Sequence, residues 1–306
     1  MVETASRTPA SQWRRNSAFY ISVLPFFTIF LAFSVFPVVF SFYLGFSRWD
    51  GFGSPVFVGL QNYVRALHDP VFQKAVANTI YLWFWSTLLT ISLALVLSVA
   101  INEYVAAGKT YFRMVFLVPL LVAPAIAAVV LRLFFSANGG LVNLLTGAVT
   151  GTPSYFDWLG SEAWIKPLVV LLVIWRWTGW YIIIFLAGLQ SISRDIYEAA
   201  RMDGVGRWAI LSRITLPLLM PSIAFAVITA TLGGLQMFDE PFVLTQGLGG
   251  TNNSATTVGM YLYATAFTQL NFGLGSAVSW YIFAAVVVLT LAYRTLMRRT
   301  NAGEGA

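Results

Sequence analysis

Long apolar runs alternate with short polar connections along almost the whole chain. Apolar stretches at 17–46, 76–101, 114–135, 167–189, 216–242 and 274–293 each reach about 20 residues or more, the length a helix needs to cross a hydrocarbon core. An isolated strand cannot satisfy its backbone there, whereas a helix can. The pattern therefore predicts an all-α, polytopic membrane protein with six transmembrane helices. The first run is too long for a signal-peptide core and no small-residue cleavage site follows it, so it reads as an uncleaved first helix. Pro25 and Pro37 are expected kinks in it. The fifth run is interrupted in its far half by Gly233, Gly234, Gln236, Asp239 and Glu240. Residues 255–270 are moderately apolar and read as a short helix against the bundle or the interface. The implied organisation is a tail over 1–16, one transmembrane domain over 17–299 and a tail over 300–306.

Six spans put both termini on one side, and the basic residues say which. One face collects Arg7, Arg14, Arg15, Lys109, Arg113, Arg194, Arg201, Arg207, Arg213, Arg294, Arg298 and Arg299. The loops of the other face hold Arg48, Arg65, Lys74 and Lys166. The positive-inside rule makes the first face, with both termini, cytoplasmic.

Composition agrees: 58% of residues are hydrophobic and 10% charged, against about 25% charged in a soluble domain. The net charge of +6 is explained by topology and does not call for nucleic acid. There is no cysteine, so disulfide and thiol chemistry are excluded. The single histidine, His68, has no visible ligating partner and reads as a surface residue. Gly108-Lys109-Thr110 resembles the end of a phosphate-binding loop, but Glu103 stands where that loop needs its first glycine. No nucleotide site, metal cluster or placed nucleophile is visible, so the chain is not read as an enzyme.

The polar segment 190–217 stands out against this background. Its core reads EAARMDGVGRWAILSRITLP from Glu198 to Pro217. Two short helices joined by a glycine turn at Gly204 and Gly206 are predicted, forming a knob on the cytoplasmic face. Glu198-Ala199-Ala200, Gly204, Ile214 and Leu216-Pro217 fill every position of the EAA loop of ABC importer permeases, and the chain resembles that family over nearly its whole length. The segment Phe57 to Tyr63, FVGLQNY, resembles the FVGLxNY stretch of the sugar-type branch. The resemblance implies a type I permease fold in a bacterial or archaeal cytoplasmic membrane. It implies that Glu198, Ala199, Ala200, Asp203, Gly204 and Arg207 couple to an ATPase. It further implies a second permease subunit, two ATPase subunits that bind the ATP and magnesium, an extracytoplasmic solute-binding protein and a carbohydrate substrate. No cofactor is expected in this chain itself.

Within the spans, Arg176 is the clearest polar outlier, flanked by Trp175, Trp177 and Trp180. Two readings are open: a residue facing the path, or an arginine snorkelling toward the outer headgroups. Its cost in a span predicts a carboxylate partner, and Asp239 is the expected one, with Glu240 at the interface. The stretch 175–190 resembles the helix before the EAA loop in maltose-transporter-type permeases. That likeness implies a substrate path at Trp177, Trp180, Gly233, Gly234 and Met237, with Gln236, Asp239 and Arg176 beside it. The fifth-span matches are small or apolar where the maltose permease has amides, so the sugar itself stays open. A glycerol-phosphate permease is the alternative within the family, since Arg176 could meet a phosphate. An ion-coupled secondary transporter is the alternative outside it; such proteins usually show repeats, and none is visible.

Overall fold

A computed structural model describes residues 9–105 and 108–303; the outer parts of both tails, including Arg7, lie outside the described residues. Among the described residues, five unbroken helical spans are long and apolar enough to cross a membrane, and a bent helix pair counted as one span makes a sixth. The first span joins α1 (Pro9–Phe30) to α2 (Phe36–Gly45) through a π-helical turn at Leu31–Val35, with Pro37 in the first turn of α2. The helix already begins at Pro9, inside the segment read as a tail. Most of this span's side chains, Phe26 and Phe33 among them, face outward.

The first outer loop is more ordered than its composition suggests. It holds a two-stranded hairpin, β1 (Ser47–Arg48) with β2 (Val56–Phe57), and then α3 (Gln61–His68). Asn62 fastens α3 to the end of the first span, donating to the Gly45 and Ser47 carbonyls. His68 is exposed and its Nδ1 lies 2.8 Å from the Val64 carbonyl, a local contact with no ligand geometry. The second span is α4 (Pro70–Tyr104), capped by the Asp69 carboxylate, which accepts from the Val71 amide.

The third span is not one continuous helix. α5 (Lys109–Leu121) and α6 (Pro124–Phe134) meet at an 89° bend. Pro124 forces Ala123 out of the helical region, and Ala123 is extended at φ −56°, ψ 138°. The following loop also exceeds expectation, since it contains α7 (Leu141–Thr150). Asn143, buried, organises it: its amide donates to three carbonyls and its Oδ1 accepts from Ser154 and from the Trp158 indole.

The centre of the molecule is α8 (Ile165–Ser191), packed on α4 and α5. A Cβ at Gly179 would overlap the Phe116 carbonyl, so α5 and α8 touch backbone to backbone there. The buried face of α8 is apolar at both ends, with Ile165 to Val173 in one core cluster and Tyr181 to Leu189 in another. Arg176, Trp177 and Thr178 separate the two.

The cytoplasmic loop holds α9 (Arg194–Met202) and α10 (Arg207–Ile210). The second is not a free-standing piece, as the glycine-turn picture had it. It runs through a π turn at Leu211–Thr215 straight into α11 (Leu216–Leu235), so the fifth span begins at Arg207. That span also ends sooner than its hydrophobicity suggested. It stops at Leu235, and α12 (Asp239–Leu244) is a separate short helix. The segment 249–258 is pinned to the outer ends of α4 and α8. Asn78 donates to the Asn253 and Thr256 carbonyls, and Thr251 donates to the Gly160 carbonyl. The expected short helix follows as α13 (Val258–Tyr263), its cap Thr257 accepting from Met260, before α14 (Phe272–Gly303) closes the chain.

Candidate functional site: the cytoplasmic knob and the bundle cavity

The cytoplasmic knob is built by ordinary capping chemistry. The Ser193 hydroxyl accepts from the Asp195 amide at the start of α9. Asp195 in the first turn and Arg201 in the last both suit the helix dipole. The helix ends in a left-handed residue, Gly204 at φ +75°. Two reversed hydrogen bonds, Gly204 N–H to the Arg201 carbonyl and Val205 N–H to the Ala200 carbonyl, complete a Schellman stop. Nothing lies within 4 Å of a Cβ placed at Gly204, so the glycine answers to backbone angle and not to crowding.

The knob presents its coupling candidates outward. Glu198, Ala199, Asp203, Gly204 and Arg207 are exposed, while Ala200 is buried beneath α9. Met202 and Trp208 are each 83% exposed, an unusual position for two large apolar side chains and one that spacing alone did not single out. The knob is tied to the bundle at its edges. Tyr197 and Thr215 exchange a 3.3 Å hydroxyl contact, and Arg207 lies 3.8 Å from Glu103 and 3.4 Å from the Tyr104 hydroxyl. The Arg207 side chain remains 78% exposed, so its pairing contributes little.

Inside the bundle, the polar layer of α8 faces α12. Arg176 is buried, and its Nη1 donates to Glu240 Oε1 at 2.5 Å. Trp177 Nε1 donates to the same oxygen at 3.3 Å. This corrects two expectations. The partner is Glu240, not Asp239, and Glu240 is buried instead of interfacial. Consecutive residues of a helix point about 100° apart, so the turn of α12 that brings Glu240 inward leaves Asp239 exposed. Arg176 does not snorkel.

Glu240 forms one wall of a cavity of ≈100 Å³. α4 contributes Ser86, Thr87 and Thr90, and α8 contributes Val173, Trp177 and Tyr181. Thr229, Ala230, Gly233 and Gly234 come from α11, and Met237 from the break after it. Of the residues expected on the path, Trp177, Gly233, Gly234 and Met237 line this cavity, and Arg176 stands behind Glu240. Trp180, Gln236 and Asp239 are exposed and lie outside its lining. Gly234 is small because Trp83 of α4 packs on it: an added Cβ would sit 2.6 Å from the indole Cδ1. Thr90, Tyr181 and Thr229 were not singled out because hydroxyl residues are common in spans and only the packing shows which line the cavity.

Comparison with known proteins agrees with this architecture. The family model "Binding-protein-dependent transport system inner membrane component" matches residues 107–302. The lactose transport system permease protein LacF of Rhizobium radiobacter is 35% identical over 274 residues, 89% of this chain and 91% of that one. The arabinooligosaccharides transport system permease protein AraP of Bacillus subtilis is 32% identical, covering 94% and 92%. A crystal structure of a bacterial ABC transporter that imports the acidic polysaccharide alginate superposes with a TM-score of 0.82 at 25% identity, over 94% of this chain and 98% of that one. The chain belongs to the binding-protein-dependent transport system inner membrane components, as a multi-pass permease subunit of an ABC importer.

Proposed function

We propose that this subunit forms half of the translocation path of an ATP-driven importer for a di- or oligosaccharide. The observation that carries the reading is the bundle cavity. It combines threonine, serine and tyrosine hydroxyls with an indole and a buried carboxylate, between helices that continue to the cytoplasmic knob. Sugars offer apolar C–H faces and many hydroxyls, and such a lining suits both. The sugar relatives LacF and AraP support the substrate class.

In this reading the chain works with a second permease subunit, two ATPase subunits and an extracytoplasmic solute-binding protein. ATP and magnesium are bound by the ATPases. Glu198, Ala199, Ala200, Asp203, Gly204 and Arg207 form the docking knob, and Met202 and Trp208 add apolar area to it. Closure of the ATPases moves α9, and the continuous helix from Arg207 to Leu235 carries that motion to the cavity wall. A ligand drives such a switch only through contacts that differ between the states. The glycerol-phosphate alternative loses its motive, because the Arg176 guanidinium is already paired with Glu240.

The test is reconstitution of the complete importer in vesicles with its binding protein. ATP-dependent accumulation of radiolabelled lactose, maltose or arabino-oligosaccharide is expected. Accumulation of glycerol phosphate in place of every sugar would overturn the reading.

A further inference from the structure

α7 is apolar but too short to cross a bilayer, since its ten residues reach about 15 Å. Leu141, Leu144, Leu145, Ala148 and Val149 recur at the spacing of one helix face. All five are exposed, Val149 at 87%. The other side of the helix is occupied: Asn143 is buried there, and both atoms of its amide are engaged by the outer loop. A contiguous apolar face left in the open marks an interaction site.

Three observations identify what covers it. The first is height. Trp164 is the N-cap of α8, at the outer end of the fourth span, where tryptophan sits at headgroup level. Its ring lies 5.0 Å from that of Trp158, whose indole donates to Asn143 Oδ1 at 2.9 Å. Two contacts thus tie α7 to the level of the outer headgroups. The second is charge. No Asp, Glu, Lys or Arg occurs between Arg132 and Asp157, so the face offers a soluble partner none of the charge that orients docking. The third is the treatment of its hydroxyls. Thr146 donates to the Asn143 carbonyl and Thr150 to the Thr146 carbonyl, both within α7. Threonines facing water need no such bonds, whereas a helix against acyl chains has to satisfy its polar groups internally.

We propose that α7 is an interfacial anchor: it lies along the outer leaflet with its apolar face toward the acyl chains, and its partner is the phospholipid surface. Helices of this kind sink about 5–10 Å into the boundary between headgroups and chains. Many of them add basic residues that attract anionic lipid. α7 carries none, so its attachment is hydrophobic and independent of headgroup charge. The inference concerns the hold of the outer face on the membrane, and it stands whatever solute the importer carries.

The test uses the chain's lack of cysteine. Leu144→Cys, Leu145→Cys and Val149→Cys each carry a nitroxide spin label in the complete importer, with any cysteines of the other subunits replaced, in phosphatidylcholine nanodiscs without the binding protein. Glu162→Cys, at an exposed charged position of the same loop, is the aqueous reference. The three α7 sites are exposed, so a label at each leaves the packing of the loop intact, and any one of them suffices for the measurement. Collision with oxygen should exceed collision with a water-soluble nickel chelate at the α7 sites, at a depth of about 5–10 Å, and Glu162 should show the reverse. Phosphatidylglycerol in place of phosphatidylcholine, or added salt, should leave the ratios unchanged. Nickel access at the α7 sites equal to that at Glu162 would put the face in water and overturn the proposal. Exclusion of both reagents from an immobilised label would show that the second permease subunit covers the face, and would overturn it equally. Oxygen-dominated collision in phosphatidylglycerol alone would overturn the charge-independent attachment.

Discussion

Arg176 on α8 and Glu240 on α12 form an ion pair buried in the middle of the helix bundle, with the Trp177 indole sharing the carboxylate. The pair fixes a six-residue helix that has broken away from the fifth span, and so fixes one wall of the cavity. It joins residues 64 apart in sequence. Removing one member of such a pair strands the other as a buried charge, at a cost of about 3–5 kcal/mol.

Arg176→Ala and Glu240→Ala are therefore expected to be equally damaging. Each should lower the yield of folded, detergent-stable importer and its thermal midpoint, whereas Asp239→Asn should resemble wild type. The double variant Arg176→Met/Glu240→Met should recover much of the stability lost by either single change, because it leaves no stranded charge. Thermal melts of the four proteins decide this. A normal Glu240→Ala beside a damaged Asp239→Asn would reverse the assignment.

At the cytoplasmic knob, Glu198→Lys should stop uptake while leaving insertion and the thermal midpoint intact. Glu198 is exposed on α9 and carries no internal contact that folding depends on. Charge reversal at a docking surface replaces attraction by repulsion. The expected result is at least a tenfold fall in uptake, on the order of the 1.4 kcal/mol that a tenfold change represents. Normal uptake with normal ATPase association would remove Glu198 from the docking surface.

Gly204 separates backbone angle from crowding. Its φ of +75° costs a residue with a Cβ about 1–2 kcal/mol, although the surrounding space is open. Gly204→Asn, which tolerates this region, should keep most of the coupling; Gly204→Val should lose more; Gly204→Pro, locked near −65°, should abolish it. Uptake rates in that order, at equal membrane abundance, are the check. Equal rates for Asn and Pro would show that the turn is not needed.

Gly179 and Gly233 make the opposite contrast inside the bundle. A Cβ at Gly179 meets the Phe116 backbone, which cannot rotate aside, whereas one at Gly233 meets nothing within 4 Å. Gly179→Ala should destabilise by about 1–3 kcal/mol, as overpacking does, and Gly233→Ala should be close to neutral in stability. A thermal midpoint for Gly179→Ala matching wild type would contradict the close α5–α8 approach.

The sequence by itself determined the spans, their orientation and the cytoplasmic knob. Those features depend on hydrophobicity, charge and glycine spacing along one dimension, and the bilayer reads them residue by residue. The pattern from Glu198 to Pro217 is local, so its helix, its glycine stop and its exposure follow from residues in a row. Only the tertiary structure decided the rest. Pro124 is visible in the sequence, but the 89° angle between α5 and α6 is a relation in space that the apolar run 114–135 does not carry. The second half of the knob continues into the fifth span because α10, the π turn and α11 share one axis of hydrogen bonding. Asp239 and Glu240 are adjacent carboxylates, and one residue of helical rotation gave Arg176 the second where the sequence pointed to the first. Which hydroxyl residues of the spans line the cavity is set by α4, α8 and α11 packing around it, which no local pattern encodes.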